Sequence, residues 1–239
     1  MTAYEQFASV YDIFMADAPY QPWLHLIESR WQITNFHVAD VGCGTGTLTV
    51  PLAAKARTCV GVDASEAMLA QAQERAYDAR VHVELLCQDV RALWLPRPVH
   101  LAVSTCDVVN YIPGTDLRQV FQAVHDALVP GGTFAFDIIG PARLAALADG
   151  YWHQIEEDAV LLHETRVVGQ TIEHDVHAFV QVDDGLYERV EEQHLQYFHS
   201  EADISAALRD CGFNVCEVLA DFAHKPTDAA DRLVFITRV

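Results

Sequence analysis

Apolar positions along this chain follow two rhythms. In the first part, short apolar runs at residues 36–41, 59–62, 81–86, 101–105 and 133–138 alternate with helical spacings at 48–56, 65–77 and 117–128. Runs this short read as strands buried on both faces, and the 3.6-residue spacing reads as amphipathic helix. Their alternation predicts βαβ units, right-handed crossovers and a parallel sheet with helices on both faces. Ahead of them, residues 4–15 and 22–31 read as helices separated by the Pro19/Pro22 break. From about Gly150 to His199 the period changes. The stretches 173–182 and 186–197 are long and β-biased, and the Asp183-Asp184-Gly185 turn between them fits an antiparallel hairpin. Ser200 is placed to cap a helix through Arg209, stopped by Cys211-Gly212, and strands at 214–219 and 232–237 close the chain. The expectation is a doubly wound α/β sheet with an antiparallel β insertion late in the chain.

The sharpest local feature is Val38-Ala-Asp-Val-Gly-Cys-Gly-Thr-Gly46. A strand running into Gly42, Gly44 and Gly46 makes a turn without Cβ atoms, where a ligand can approach the backbone. Asp63, at the end of the next strand, is a carboxylate placed to accept hydrogen bonds from a ribose diol, which is the geometry of nucleoside binding in doubly wound folds. On the glycines alone, a purely structural strand-to-helix turn stays open. A dinucleotide fingerprint would place a third glycine at position 47, where Thr47 stands, and no Gly-Lys-Ser/Thr follows as in a phosphate-binding loop.

Four segments occur in order: Asp40-Val-Gly-Cys-Gly-Thr-Gly46, Gly61-Val-Asp-Ala-Ser-Glu-Ala-Met-Leu69, Cys87-Gln-Asp-Val90 and Leu128-Val-Pro-Gly-Gly-Thr-Phe-Ala-Phe136. Together they resemble the successive motifs of class I S-adenosylmethionine-dependent methyltransferases, over roughly residues 36–138. The resemblance implies a Rossmann-like, mostly parallel seven-stranded sheet and S-adenosylmethionine as cofactor. It implies that Gly42, Cys43, Gly44 and Gly46 pack against the methionine part, with Asp40 in the network near its amino group. Asp63 would hold the ribose hydroxyls, and Ala64 and Met68 would flank the adenine. Asp89 would accept the adenine amino group beside the Val90 N–H, and Thr105 and Cys106 would line the same site. Core and capping roles remain the alternative for Met68 and Asp89.

Two segments are candidates for the acceptor side. Tyr4-Glu-Gln-Phe-Ala-Ser-Val-Tyr-Asp12 resembles the lid helix of small-molecule methyltransferases. It makes Tyr11 the candidate for covering the cofactor, with Tyr20 and Trp23 behind it; a packing stripe of Tyr4, Phe7 and Tyr11 is the alternative. Ser104-Thr-Cys-Asp-Val-Val-Asn-Tyr111 follows the fourth strand, and ligands in doubly wound sheets sit outside the carboxyl ends of strands. Asp107, Asn110 and Tyr111 are its polar groups, and Tyr11, Asn110 and Tyr111 are the candidates for positioning an acceptor. The segment does not match the Asn-Pro-Pro-Tyr motif of nucleic-acid amino-group methyltransferases. Six histidines fall in the insertion (His153, His163, His174, His177, His194 and His199). They show no zinc-type spacing, so they read as solvent-facing strand residues and no metal site is expected.

Composition narrows the partners. The formal charge of −19, with Lys55 and Lys225 the only lysines, argues against nucleic acid and anionic membrane surfaces. No apolar run approaches the roughly 20 residues of a membrane span, and the N-terminus lacks a signal-peptide pattern, so a cytoplasmic location is expected. Cys43, Cys59, Cys87, Cys106, Cys211 and Cys216 lie singly and read as small buried hydrophobes, not a disulfide framework. The resulting division has lid helices and cofactor core over 1–149, the β insertion over 150–199, and a C-terminal helix with closing strands over 200–239. The insertion resembles the antiparallel cap of bacterial amine methyltransferases, including those acting on amino sugars, and its other possible use is a homodimer surface. The expected activity is methyl transfer to N or O of a small molecule. A tRNA or protein methyltransferase and a non-catalytic cofactor-binding module are the alternatives.

Overall fold

The short apolar runs become strands because each can be covered from both sides. In a computed structural model describing residues 8, 10–148, 150–183 and 185–239, they form β1 (His37–Val41), β2 (Thr58–Asp63), β3 (Glu84–Cys87), β4 (Val99–Ser104) and β5 (Leu128–Ile139). The insertion contains β6 (Tyr151–Ile155), β7 (Ala159–Val168), β8 (Thr171–Asp183) and β9 (Leu186–Tyr197), and β10 (Asn214–Ala220) and β11 (Arg232–Arg238) close the chain. The helices are α1 (Tyr11–Phe14), α2 (Tyr20–Arg30), α3 (Thr49–Ala53), α4 (Glu66–Ala79), α5 (Leu117–Ala127), α6 (Pro141–Leu147) and α7 (Glu201–Asp210).

One sheet has seven strands in the order β10-β11-β5-β4-β1-β2-β3. β1 pairs in parallel with β2 and β4, as do β2 with β3 and β4 with β5, whereas β11 runs antiparallel between β5 and β10. Strand alternation splits the core in two. Ala39, Val41, Ala102, Phe134 and Phe136 face α5 and α7, while Val38, Leu101, Val103 and Ala135 face α2 and α3. In α5, Leu117, Val120, Phe121 and Val124 are buried at the i, i+3, i+4, i+7 positions of one helical face. In α4 the Ser65 side chain accepts from the Met68 N–H, closing the helix start as an N-cap does.

β6 to β9 form a separate antiparallel sheet in sequential order. Ile172, His174, Val176 and Ala178 point inward from β8. Leu161, Val176, Ala178 and Val190 of this face pack with Tyr11, Phe14 and Met68, and Ile172 packs with Ile139 and Leu147. The fold agrees with the expectation, with differences at its margins. The helix expected over 4–15 is described as Tyr11–Phe14, with Tyr4 and Phe7 outside the described residues, as is Asp184 of the hairpin turn. β6, β7 and α6 had no counterpart in the sequence reading. Ser200 caps α7 as expected, accepting from the Asp203 N–H at 3.1 Å.

Candidate active site

β1 lies between β4 and β2, so the chain order reverses beside it, and the carboxyl ends of these strands open a crevice. At that point Gly42 and Cys43 both donate N–H bonds to the Val62 carbonyl, at 2.7 and 3.0 Å, which pins the glycine turn onto β2. Gly42, Gly44 and Gly46 all have positive φ, the region glycine occupies without Cβ cost. Asp63 organises the next turn: one oxygen accepts from the Gly44 N–H at 2.8 Å and the other from the Ser65 N–H at 3.0 Å. Asp40 is fully buried at the end of β1. Its Oδ2 accepts from the Thr49 hydroxyl at 2.7 Å, whereas Oδ1 has no hydrogen-bond partner among the described residues. Burial, reinforced by the nearby Asp63 charge, pushes the Asp40 carboxyl up to about 7.

These groups border a cavity of about 470 Å³. Gly42, Cys43, Gly44 and Asp40 form one wall, and Asp63, Ala64, Met68, Gln88, Asp89 and Val90 continue it along the strand ends. Tyr11 of α1 and Tyr20 of α2 form a further wall. Thr105, Cys106, Val108 and Tyr111 form the wall beyond β4, and Leu195 and Tyr197 of β9 reach in from the insertion. Asp12 of α1 accepts from the Thr45 hydroxyl at 2.7 Å and pairs with Arg75 of α4. The Tyr11 and Tyr20 hydroxyls share a hydrogen bond, and burial pushes the Tyr20 phenol well above its ordinary range. Burial likewise raises the Cys43 and Cys106 thiols. Both therefore stay protonated and are poor nucleophiles.

Most of the expected site residues thus meet at one cavity: Tyr11, Asp40, Gly42, Cys43, Gly44, Asp63, Ala64, Met68, Asp89, Val90, Thr105, Cys106 and Tyr111. Three do not, and each has a physical reason. Trp23 is fully buried, and its indole N–H donates to Asp137 at 2.7 Å, so it packs α2 onto the sheet. Gly46 lies under α4, where a Cβ would meet the Ala72 Cβ at 3.0 Å, so it serves close helix packing. Asn110 is fully buried: its amide donates to the Tyr197 carbonyl at 2.8 Å and accepts from the Ile139 N–H at 3.0 Å. That makes it a splice between β5, β9 and the loop, with no free end for an acceptor. Asn110→Ala should leave two buried backbone groups unpaired, at about 1–3 kcal/mol each. We expect the melting temperature to fall by several degrees while calorimetry gives an unchanged cofactor affinity for the folded protein.

Asp89 borders the cavity yet also caps the turn after it, accepting from the Arg91 N–H at 2.9 Å and pairing with the Arg91 guanidinium, which lowers its pKa. The histidines require a correction. His174 and His194 are buried, and His163 Nε2 lies 3.0 Å from His174 Nδ1. The His194 ring meets the Tyr111 ring edge-on, at 6.2 Å between centroids. His199 is also buried and donates to the Ile112 carbonyl at 3.0 Å. Only His153 and the half-exposed His177 approach the solvent-facing expectation. Among the described residues, no cluster of His, Cys, Asp or Glu could hold a metal ion. The lining residues missing from the sequence reading include Leu48, Val62, Gln88 and Arg91, then Val108, Ile112, Pro113, Leu195 and Tyr197. Gln88 lies inside the recognised segment Cys87-Gln-Asp-Val90, where the resemblance gives it no role, whereas Leu195 and Tyr197 arrive through tertiary packing alone.

A family model described as a methyltransferase domain matches residues 38–132. A candidate methyltransferase of Geobacillus sp. (strain WCH70) is 30% identical over 98% of this chain and 99% of its own length. A solved S-adenosylmethionine-dependent methyltransferase from Clostridium acetobutylicum ATCC 824 superimposes with a TM-score of 0.90 at 27% identity, covering 99% of this chain and 98% of that one. The chain is a class I S-adenosylmethionine-dependent methyltransferase. A sugar N-methyltransferase from Streptoalloteichus sp. ATCC 53650 shares the fold with a TM-score of 0.72 at 21% identity, over 95% of this chain and 92% of that one. The methyltransferase has a cavity that suits its cofactor. Among the described residues, the Asp40 oxygen without a partner stands where a cationic amino group would complete it, and beyond Gly44 no atom lies within 4 Å of where a Cβ would project.

Proposed function

We propose that this methyltransferase transfers a methyl group to an amine or hydroxyl of a small molecule. The observation that carries this reading is the single enclosure described above. The glycine turn and Asp63 border the same cavity as Tyr197 and Leu195 of the insertion, an arrangement that supports a small acceptor held under a β cap. The sugar N-methyltransferase with the same fold supports that acceptor class. The charge of −19 adds to it, since few cations are available to grip a phosphate backbone.

When bound, S-adenosylmethionine supplies an electrophilic methyl on a sulfonium, and transfer is an in-line displacement dominated by positioning. In this assignment Asp63 accepts from the ribose hydroxyls, and Asp40 Oδ1 accepts from the amino group. Gly42 and Gly44 let the backbone come close. Ala64, Met68 and Val90 pack the base, while Asp89 accepts from its amino group. Tyr11 and Tyr20 exclude water from the lid side. Tyr111 and Tyr197 present aromatic faces and hydroxyls where the acceptor enters. Residues 1–149 and 200–239 act as the catalytic core and 150–199 as its cap.

The test is a screen of amines, amino sugars, phenols and tRNA with methyl-labelled S-adenosylmethionine. We expect label on a small amine or hydroxyl compound. Label on tRNA with none on small molecules would reverse the acceptor assignment.

A further inference from the structure

Behind the wall formed by Thr105 and Cys106, two successive residues adopt a conformation that side chains disfavour. Cys106 and Asp107 have φ of +62° and +65°, the left-handed region, and neither is glycine. Successive N–H groups in such a turn point into one hollow, which attracts an anion. Here the anion is part of the protein. Asp137 of β5 is fully buried and does not border the cavity. Its Oδ1 accepts from the Asp107 N–H at 2.8 Å, and its Oδ2 from the Cys106 N–H at 3.3 Å. Oδ2 also accepts from the Trp23 indole at 2.7 Å and faces the Arg232 guanidinium at 2.9 Å. Arg232 in turn pairs with the Asp107 carboxylate, and its own N–H is held by Asp221 at 3.0 Å.

We propose that Asp137 is a positioning residue of this methyltransferase, holding the loop after β4 in the left-handed shape that the cavity wall requires. Among the described residues, all four partners of its carboxylate are donors, so a protonated carboxyl would find no acceptor among them for its hydrogen. Burial raises its pKa, and the Arg232 guanidinium works against that rise while the Asp107 charge adds to it. The consequence reaches the cavity through Val108, whose side chain occupies the space a Cβ on Gly42 would need. A loop released from Asp137 would let Cys106 and Val108 move against the glycine turn. The same carboxylate anchors α2 through Trp23, three residues from Tyr20 on the lid side of the cavity. One buried charge therefore sets the spacing between the lid and the loop.

The inference rests on the cofactor occupying this cavity, so its test has one arm that needs no ligand. Amide hydrogen exchange would be followed on the full unliganded chain for wild type, Asp137→Asn, Arg232→Met and Arg232→Lys. Titration with S-adenosylhomocysteine would be run on the same proteins. We expect exchange across residues 104–112 to rise tenfold or more in Asp137→Asn and Arg232→Met, with β1 and β2 changing less than twofold. The Kd for S-adenosylhomocysteine should rise at least tenfold in both, and Arg232→Lys should recover most of it. If Asp137→Asn does not fold, Arg232→Met decides. Wild-type loop exchange, wild-type affinity, or an equal rise of exchange throughout the chain would each overturn the proposal. Failure of the wild type to bind S-adenosylhomocysteine would instead count against the cofactor site, and the exchange arm would still judge the loop.

Discussion

Gly42→Ala should weaken S-adenosylhomocysteine binding by at least about 100-fold, which is roughly 2.7 kcal/mol or more. Two costs add at this position. Gly42 has φ +78°, where an L-residue is disfavoured by about 1–2 kcal/mol. The new Cβ would also lie 2.4 and 2.6 Å from the two Val108 γ-carbons, far inside contact distance. The chain can relieve that only by pushing the loop after β4 away from the turn, and that movement distorts the cavity itself. Gly44→Ala separates the two costs. Gly44 also has positive φ, but nothing among the described residues lies within 4 Å of its Cβ position, so the added methyl enters the space assigned to the ligand. Gly42→Ala should lower both melting temperature and affinity, whereas Gly44→Ala should lower affinity with a smaller loss of stability. Calorimetric titration beside thermal melts distinguishes them. Wild-type affinity in Gly42→Ala would remove the turn from the binding site.

The second large effect concerns acid. Burial lowers His163 from the ordinary 6.5 to about 3, and lowers His174 and His194 to about 4. These imidazoles are neutral in the folded chain and become charged on unfolding below about pH 6.5. The unfolded chain thus binds more protons between about pH 4 and 6.5, so stability is full above that window and is lost as pH falls through it. Three protons set an upper limit of about 4 kcal/mol per pH unit in the middle of the window. Asp40 works in the opposite direction. Its folded pKa is raised to about 7, so its contribution is present below about pH 4 and lost as pH rises through 7. One carboxyl against three imidazoles leaves a net loss on acidification. We expect the melting temperature to drop steeply between pH 6.5 and 4.5, and His174→Phe to flatten the slope. Asp40→Asn should raise the melting temperature at pH 8 while weakening the cofactor. A flat profile across the window would contradict the buried histidine cluster.

Local chemistry made much of the site legible. Asp40 to Gly46 and Asp63 are separated in sequence by a single crossover, so their meeting at the strand ends follows from βαβ geometry. Met68 and Ala64 follow because the helix after Asp63 starts at that strand end. What escaped was set at long range. Asp137 meets Trp23 across 114 residues and Asp107 across 30, and no spacing rule links them. Asn110 was misread because a polar side chain in a binding-side loop looks available, whereas buried backbone groups of β5 and β9 had already claimed both ends of its amide. The histidines were partly readable. His174 shares the alternation parity of Ile172, Val176 and Ala178 on β8, which places it on the inward face. β6 and β7 escaped because the inward and outward positions of these strands mix apolar and polar residues, so neither period stands out.

The central claim is that Asp63 and the glycine turn hold the nucleoside of S-adenosylmethionine. It is tested most directly by calorimetric titration of S-adenosylhomocysteine into wild type and Asp63→Ala, with NAD as the competing nucleotide. We expect micromolar-range binding to the wild type and a loss of about 1–3 kcal/mol in the variant, because the charge-assisted hydrogen bonds to the ribose disappear. Unchanged affinity in a folded Asp63→Ala protein, or tighter binding of NAD than of S-adenosylhomocysteine, would contradict it.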